Sequence, residues 1–137
     1  YLYGGTAGQC NGNTITDCTI SENGDYGVYL RGDSGQCNGN TIQDNRISKN
    51  TFRGINLWTA DGNRVEANNV WGTIGATSYG IRTGGSGTDN FILKNTCAGQ
   101  TDNFELDPDD TYGPEVSSSG ALSSAGDESH PWANFSR

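Results

Sequence analysis

The sequence predicts an all-β protein, a right-handed parallel β-helix (solenoid) of about four coils followed by an irregular C-terminal tail. Three observations lead to this fold class: a repeat of roughly 23–27 residues, a spacing of two between apolar residues in short segments, and turns rich in Gly, Asn and Asp. The coils are predicted at residues 1–110 and the tail at residues 111–137. Because one such unit cannot bury its apolar side alone, the units are expected to stack.

The repeat begins with one hexapeptide that occurs twice. Residues 8–13 and residues 35–40 both read Gly-Gln-Cys-Asn-Gly-Asn, one repeat apart. The pattern Asn-x-Ile-x-x-Asn-x-Ile, with Val or Cys at some positions, then starts at Asn13, Asn40, Asn63 and Asn90. Stacked coils place equivalent residues about 4.8 Å apart, so the repeated Asn side chains are predicted to form hydrogen-bonded ladders inside the solenoid.

A second apolar strand follows each copy of that pattern. It covers residues 28–30, 55–57, 81–83 and 104–106, and residues 1–3 form a fifth copy in which Leu2 is expected to be equivalent to Tyr29. An amphipathic helix would need apolar residues at i, i+3, i+4 and i+7, so the spacing of two indicates strands. Alternation then points residues such as Ile55 and Leu57 inward and the residues between them outward.

Composition and charge limit the classes of partner. The formal charge of −8 and the pI near 4.3 disfavour binding to nucleic acid phosphates or to an anionic membrane surface. No apolar run approaches the roughly 18 residues that a membrane span requires. We therefore expect neither a nucleic acid nor a membrane as partner.

Both ends of the solenoid need to be covered. The apolar tail residues Val116, Leu122, Trp132 and Phe135 are spaced so that the tail can pack on the coils. The first strand has no predicted cap, which favours either further coils upstream or a partner surface, such as a second copy stacked end to end.

These repeats resemble the right-handed β-helix proteins, a group with pectate lyases, alginate and chondroitin lyases, mannuronan C5-epimerases and phage tailspike depolymerases. Residues 64–70, 78–82 and 87–90 look like the last coils of a mannuronan C5-epimerase module. The resemblance implies an extracellular or cell-surface protein that handles polysaccharide. Such proteins bind glycans along one sheet, where aromatic rings stack on sugars and Arg pairs with uronate carboxylates.

Two outward columns of residues fit that chemistry. One column runs Leu2, Tyr29, Asn56, Arg82 and Glu105, and its neighbour runs Gly4, Arg31, Trp58, Gly84 and Asp107. The candidate carbohydrate-binding residues are Tyr29, Arg31, Asn56, Trp58, Arg82, Glu105 and Asp107. The alternative is an ordinary solvated sheet face with one exposed Trp.

The acidic run after the last strand has two possible roles. Residues 107–110 resemble the Asp-Pro-His-Asp motif of the epimerases, but Asp109 stands where the His would be and the sole histidine, His130, lies in the tail. No catalytic residue is therefore assigned. Carboxylates of Glu105, Asp107, Asp109 and Asp110 could bind Ca²⁺, although the run lacks the spacing of an EF-hand loop.

The four cysteines divide into a pair and two single residues. Cys10 and Cys37 lie one repeat apart in identical contexts, at a separation that a disulfide accepts, and are predicted to be bonded in an oxidising compartment. Cys18 and Cys97 are nearly three coils apart and are expected to be buried thiols. No spacing resembles a zinc site.

The sequence thus favours a polysaccharide-associated β-helix module, formed by the C-terminal coils of a lyase, epimerase or depolymerase. The alternative is a structural subunit without catalytic activity that stacks end to end into a fibre or larger assembly. The residues leave open whether the segment is itself an enzyme.

Overall fold

The computed structural model describes residues 1–4, 8–33, 36–117 and 130–137, and it confirms a parallel β-solenoid of about four coils. Each coil contributes one strand to each of three sheets, and every strand pair is parallel. None of the described residues forms a helix that is long and apolar enough to cross a membrane.

The strands are assigned to the sheets as follows. The long sheet contains, in spatial order, β1 (Leu2–Tyr3), β4 (Tyr26–Arg31), β7 (Arg53–Trp58), β10 (Tyr79–Gly84) and β13 (Asp102–Glu105). The second sheet contains β14 (Thr111–Tyr112), β11 (Phe91–Leu93), β8 (Arg64–Glu66), β5 (Thr41–Gln43) and β2 (Thr14–Thr16). The third sheet contains β15 (Glu115–Ser117), β16 (Asn134–Ser136), β12 (Thr96–Ala98), β9 (Asn69–Trp71), β6 (Arg46–Ser48) and β3 (Thr19–Ser21).

The core is a stack of aliphatic side chains from all three sheets. In the long sheet, Val28 pairs with Ile55, which pairs with Ile81, and all three are buried. The other two sheets contribute Ile42, Val65 and Ile92 and then Ile47, Val70 and Cys97, all fully buried. Phe104 and Leu106 pack against this core with partial exposure, as the alternation predicts.

Two ladders of Asn side chains run through the corners between the strands. In the first, Oδ1 of each member accepts hydrogen bonds from the main-chain N–H and the side-chain amide of the member one coil earlier, at 2.8 to 3.0 Å. Its members are Asn13, Asn40, Asn63 and Asn90, and it ends on Asp110. The second ladder contains Asn45, Asn68, Asn95 and Asn134, with the Cys18 N–H donating to its first member. The predicted ladders are therefore confirmed.

The register of the first strand differs from the prediction by one residue. Leu2 pairs with Leu30 rather than with Tyr29, and Tyr3 pairs with Arg31. Leu2 consequently packs against the core, and Tyr1 and Tyr3 lie on the outward side instead. The physical reason is that the apolar Leu2 side chain gains burial only in this register.

The described part of the tail packs on the last coil. β14 extends the second sheet, and β16 lies between β12 and β15 in the third sheet. Val116 is buried and Phe135 is half-buried, whereas Trp132 is 53% exposed. Leu122 lies outside the described residues. The predicted boundary at residue 110 stays a prediction.

Candidate functional site

The outer face of the long sheet is shaped by a glycine near the start of each strand. Gly27, Gly54 and Gly80 point into the core, where an added Cβ would meet the side chains of Ile47, Val70 and Cys97 respectively. The next residue in each strand also points inward, so the glycine interrupts strict alternation in the manner of a β-bulge. As a result, the residue before each glycine points outward: Tyr26, Arg53 and Tyr79.

A group of tyrosines covers the N-terminal part of this outer face. The rings of Tyr26 and Tyr29 stack with their centroids 4.3 Å apart, and Tyr1 meets Tyr29 edge-on at 5.1 Å. Beside them is a groove of about 310 Å³, lined by Tyr1, Asn23, Gly24, Asp25, Tyr26, Gly27 and Tyr29. The groove therefore combines aromatic walls with an exposed carboxylate, Asp25.

Two of the three arginines on the outer face have carboxylate partners. Arg31 Nε lies 2.6 Å from an oxygen of Asp33, and Arg82 forms an ion pair with Glu105. The hydrogen bond from Arg31 holds the pKa of Asp33 below its ordinary value. Both pairs are partly exposed, so they set local charge more than they stabilise the fold.

Arg53 has no carboxylate partner within ion-pair distance among the residues that the structure describes. Its guanidinium carbon lies 4.2 Å from the ring centroid of Phe52, 5.6 Å from that of Tyr26 and 5.4 Å from that of Tyr79. Its Nη1 donates to Tyr26 Oη at 3.2 Å. Burial, and then the positive charge of Arg82, lower the pKa of Arg53.

The ring of Trp58, a residue of β7, lies beside Gly84 on the neighbouring strand β10. A Cβ at Gly84 would lie 3.6 Å from Trp58 Cζ3, so the absence of a side chain at position 84 leaves room for the ring. The guanidinium carbon of Arg82 lies 5.1 Å from the centroid of the Trp58 ring. The half-exposed ring is thus held in place on one side by Gly84 and Arg82.

The structure brings most of the predicted carbohydrate-binding residues to one face but does not expose all of them. Tyr29, Arg31, Asn56, Trp58 and Arg82 lie on β4, β7 and β10 in register, and Glu105 continues the row on β13. Tyr29, whose ring contacts those of Tyr1 and Tyr26, is nearly buried, and Asn56 is completely buried. Neither side chain is therefore open to solvent.

Asp107 follows the last long strand and takes part in a turn. Its main-chain N–H donates to Thr83 Oγ1 at 2.8 Å, and its Oδ1 accepts the N–H of Asp109 at 3.1 Å. Asp110 ends the first Asn ladder, and Glu105 is paired with Arg82. Across the described residues, no three His, Cys, Asp or Glu side chains converge on a possible metal position. The expectation of a calcium site in this acidic run is therefore not supported.

Alternation alone did not identify Tyr26, Arg53 and Tyr79. A signal was nevertheless present, because each of the three precedes a glycine that itself precedes a β-branched core residue. If the glycine is interpreted as facing inward, the residue before it is predicted to point outward. Tyr1 and Tyr3 were missed for a different reason, the one-residue change of register at β1.

The four cysteines are free thiols in the structure. Cys10 and Cys37 lie on neighbouring coils, since the Cys10 N–H donates to Gln36 O at 2.8 Å, but the predicted disulfide is not formed. Burial, with a smaller contribution from Cys10, raises the pKa of Cys37 to about 12. Cys97 is buried as predicted. Cys18 is exposed, which corrects the expectation, because it directly precedes β3, an edge strand of the third sheet with a neighbour on one side only among the described strands.

Comparison with known proteins gives one family. The family described as "Periplasmic copper-binding protein (NosD)" matches residues 2–113, which include all four coils. No curated protein and no solved structure shows significant similarity to the chain.

No group of three potential copper ligands is present among the residues that the structure describes. Copper sites in proteins use thiolate, thioether or imidazole ligands, and the chain has no Met and a single His. His130 Nδ1 accepts the main-chain N–H of Trp132 at 3.3 Å. Cys97 stands alone among the described residues, and Cys10 and Cys37 lie on neighbouring coils without a third metal-binding side chain beside them there.

Proposed function

Because the chain belongs to the NosD family, a family of right-handed parallel β-helix proteins described as periplasmic, we propose that it is a polysaccharide-associated β-helix module that acts outside the cytoplasm. The observation that carries the proposal is the outer face of the long sheet, where aromatic rings and arginines from successive coils stand in register. The finer location, secreted or attached to the cell surface, belongs to the same proposal.

The geometry of the outer face suits an extended sugar chain. Aromatic rings stack on the apolar sides of sugar rings, and guanidinium groups donate to hydroxyls and carboxylates. Successive coils advance about 4.8 Å, close to the advance of one sugar unit, so three coils would contact about three units. The groove beside Tyr26 and Tyr29 supplies a recess at one end of this path.

The class of enzyme to which these coils would belong is also part of the proposal. The resemblance of residues 64–90 to epimerase modules favours the C-terminal coils of a lyase, epimerase or depolymerase. This segment is assigned a binding role, because its acidic run lacks the histidine of the epimerase motif and Asp110 is occupied by the ladder. An open face buries little of a ligand, so we expect dissociation constants from tens of micromolar to millimolar.

The test is a titration of the intact chain with acidic and neutral oligosaccharides by calorimetry. Trp58→Ala is expected to weaken both kinds of ligand, and Arg82→Ala is expected to weaken uronate oligosaccharides more than neutral ones. Trp71→Ala is the matched control, because Trp71 is exposed and carries Arg46 over its ring, but lies on the third sheet. No binding by the wild type, or equal losses in the Trp58 and Trp71 variants, would contradict the proposal.

End-to-end stacking into a fibre or larger assembly is the second candidate. The observation in its favour is the row of edge strands β1, β2 and β3, whose outer hydrogen-bonding groups have no strand beside them within the described chain. Size-exclusion chromatography over a range of concentrations distinguishes the two: stacking predicts particles that grow with concentration, and a glycan-binding module predicts a constant small size.

A further inference from the structure

A second groove lies on the outer face of the second sheet, away from the long sheet. Its volume is about 270 Å³, and its lining residues are Arg64, Phe91, Leu93, Thr111 and Trp132. Phe91 pairs with Arg64 on β8 and with Thr111 on β14, so these three residues form one row across the sheet. The next residue, Ile92, is fully buried in the core, and the Phe91 side chain therefore points outward.

Two exposed aromatic side chains line this groove. Phe91 is 43% exposed and Trp132 is 53% exposed, whereas Leu93 between them in the lining is almost buried. The main chain of Trp132 has a defined position, because the Lys94 N–H donates to Trp132 O at 3.4 Å and a Cβ at Gly113 would overlap that oxygen. Exposed aromatic surface in a concave site is typical of ligand binding.

Polar groups flank Phe91 on both sides. Arg64 lies one coil earlier, and the Thr111 hydroxyl lies one coil later. The Arg64 guanidinium is held by a carboxylate, since its Nε and Nη2 lie 2.7 and 2.6 Å from Glu66 Oε2. Lys94 donates to the other oxygen of Glu66 but does not line the groove. The one charge in the lining is therefore matched by Glu66, and the remaining N–H groups of Arg64 can donate to neutral hydroxyls.

We propose that this groove is a second glycan site, which binds one neutral pyranose ring; the class of ligand rests on the proposed function, while the location does not. A pyranose ring has apolar C–H faces and hydroxyl groups around its edge. This combination matches aromatic side chains that are flanked by a guanidinium and a hydroxyl. A purely apolar partner, such as an aliphatic side chain of another protein, would cover the Arg64 and Thr111 donors without bonding to them.

The size of the groove limits the ligand to one ring. Its volume of about 270 Å³ lies below the roughly 300–1,000 Å³ of pockets that hold drug-sized molecules. The groove therefore has room for a single sugar unit, whereas the open face of the long sheet suits an extended chain.

The three tryptophans of the chain allow each surface to be observed separately. Trp132 lines the groove, Trp58 lies on the long sheet, and Trp71 lies on the third sheet. The indole N–H signals of the intact, isotope-labelled chain are assigned by replacing each Trp in turn with Phe. They are then followed by NMR during titration with the methyl pyranosides of galactose, glucose and mannose, with methyl galacturonoside and with tetragalacturonate. Sorbitol, which has hydroxyl groups but no ring, is the ligand control.

At least one neutral pyranoside is expected to shift the Trp132 signal with a dissociation constant in the millimolar range, the scale for a ligand of one ring. Sorbitol leaves that signal in place, and the Trp71 signal does not respond to any ligand. Phe91→Ala weakens the neutral pyranoside roughly ten-fold, because it removes aromatic surface from the groove. Tyr112→Ala is the matched control, since Tyr112 is 46% exposed on the same sheet but does not line the groove. Circular dichroism checks that both variants are folded.

The outcomes separate the groove from the proposed function. No response of Trp132 to the three neutral pyranosides, or unchanged affinity in Phe91→Ala, overturns the groove, and a Trp58 response to tetragalacturonate leaves the proposed function in place. A preference of Trp132 for methyl galacturonoside by ten-fold or more overturns the neutral class of ligand. A Trp132 response without a Trp58 response supports the groove and contradicts the glycan site on the long sheet. Silence of both signals overturns the two together.

Discussion

Asn68 Oδ1 accepts two hydrogen bonds from Asn45, one from the main-chain N–H and one from the side-chain amide, both at 3.0 Å. The Asn68 amide donates in turn to Ile42 O, Glu66 O and Asn95 Oδ1. Every polar atom of this buried side chain is therefore paired with a neighbouring coil or its own turn. Asn56 is equally buried and has none of these contacts.

Replacing each of these two Asn residues by Leu, which has a similar shape, is expected to have opposite effects on stability. Asn68→Leu leaves the Asn45 donors and several carbonyl groups unpaired, so the free energy of unfolding should fall by about 3–5 kcal/mol. Asn56→Leu removes an unpaired amide, so the free energy should stay constant or rise by about 1 kcal/mol.

Urea unfolding followed by circular dichroism measures both changes. Equal destabilisation by the two substitutions would mean that Asn56 makes hydrogen bonds in solution.

The inward glycines are expected to tolerate no side chain. At Gly54 a Cβ would overlap the Val70 side chain and approach Gly80 O within 2.6 Å, so Gly54→Ala should cost about 3 kcal/mol through overpacking. Gly24→Ala is the control, because nothing lies within 4 Å of its added Cβ; a small gain of a few tenths of a kcal/mol is expected there. Thermal unfolding of both variants checks this, and a neutral Gly54→Ala would show that the glycine does not face the core.

The cysteines should react with iodoacetamide at very different rates. Thiolate is the reactive form, and a pKa of about 12 leaves roughly one Cys37 thiol in three thousand ionised at pH 8.5. Burial also raises the pKa of Cys97, whereas Cys18 is exposed. Labelling of the folded protein should therefore occur first at Cys18, and any slow labelling of Cys37 should increase about ten-fold per pH unit, because its pKa lies above the working range.

Peptide mass analysis after timed alkylation gives the order of reaction. The same analysis of unfolded protein that was never reduced tests the predicted Cys10–Cys37 disulfide. Four labelled cysteines in protein from an oxidising compartment would exclude that bond, and labelling of Cys37 as fast as Cys18 would contradict its burial.

The coils could be predicted from the sequence because their determinants repeat. The ladder Asn residues and the core Ile and Val residues keep a fixed spacing within each coil, and both sets lie where that spacing places them. The outer face does not follow from the spacing alone. Whether Tyr29 or Asn56 reaches solvent depends on the lengths of the side chains on neighbouring coils. The stacking of the coils, and not the local sequence, determines which side chains are neighbours.

The residues of the site that were missed have a local cause. Strict alternation through β4 would place the Tyr26 side chain on the same side as that of Val28. Because Gly27 also faces inward, the alternation shifts by one residue and the Tyr26 side chain points outward. The shift at β1 is similar in kind, because one extra residue between Leu2 and Leu30 moves Tyr1 and Tyr3 outward. A single residue of insertion decides which side of a strand a side chain occupies.

The first Asn ladder has a direction, and this bears on how the number of coils can change. Each Asn donates to the next coil, so an internal coil that is duplicated or deleted as a whole keeps every donor matched to an acceptor. The last position is different, because Asp110 accepts from Asn90 and has no amide that must donate onward. Interior coils can therefore be gained or lost without unpairing the ladder, provided that the last Asn still meets an acceptor, as Asn90 meets Asp110.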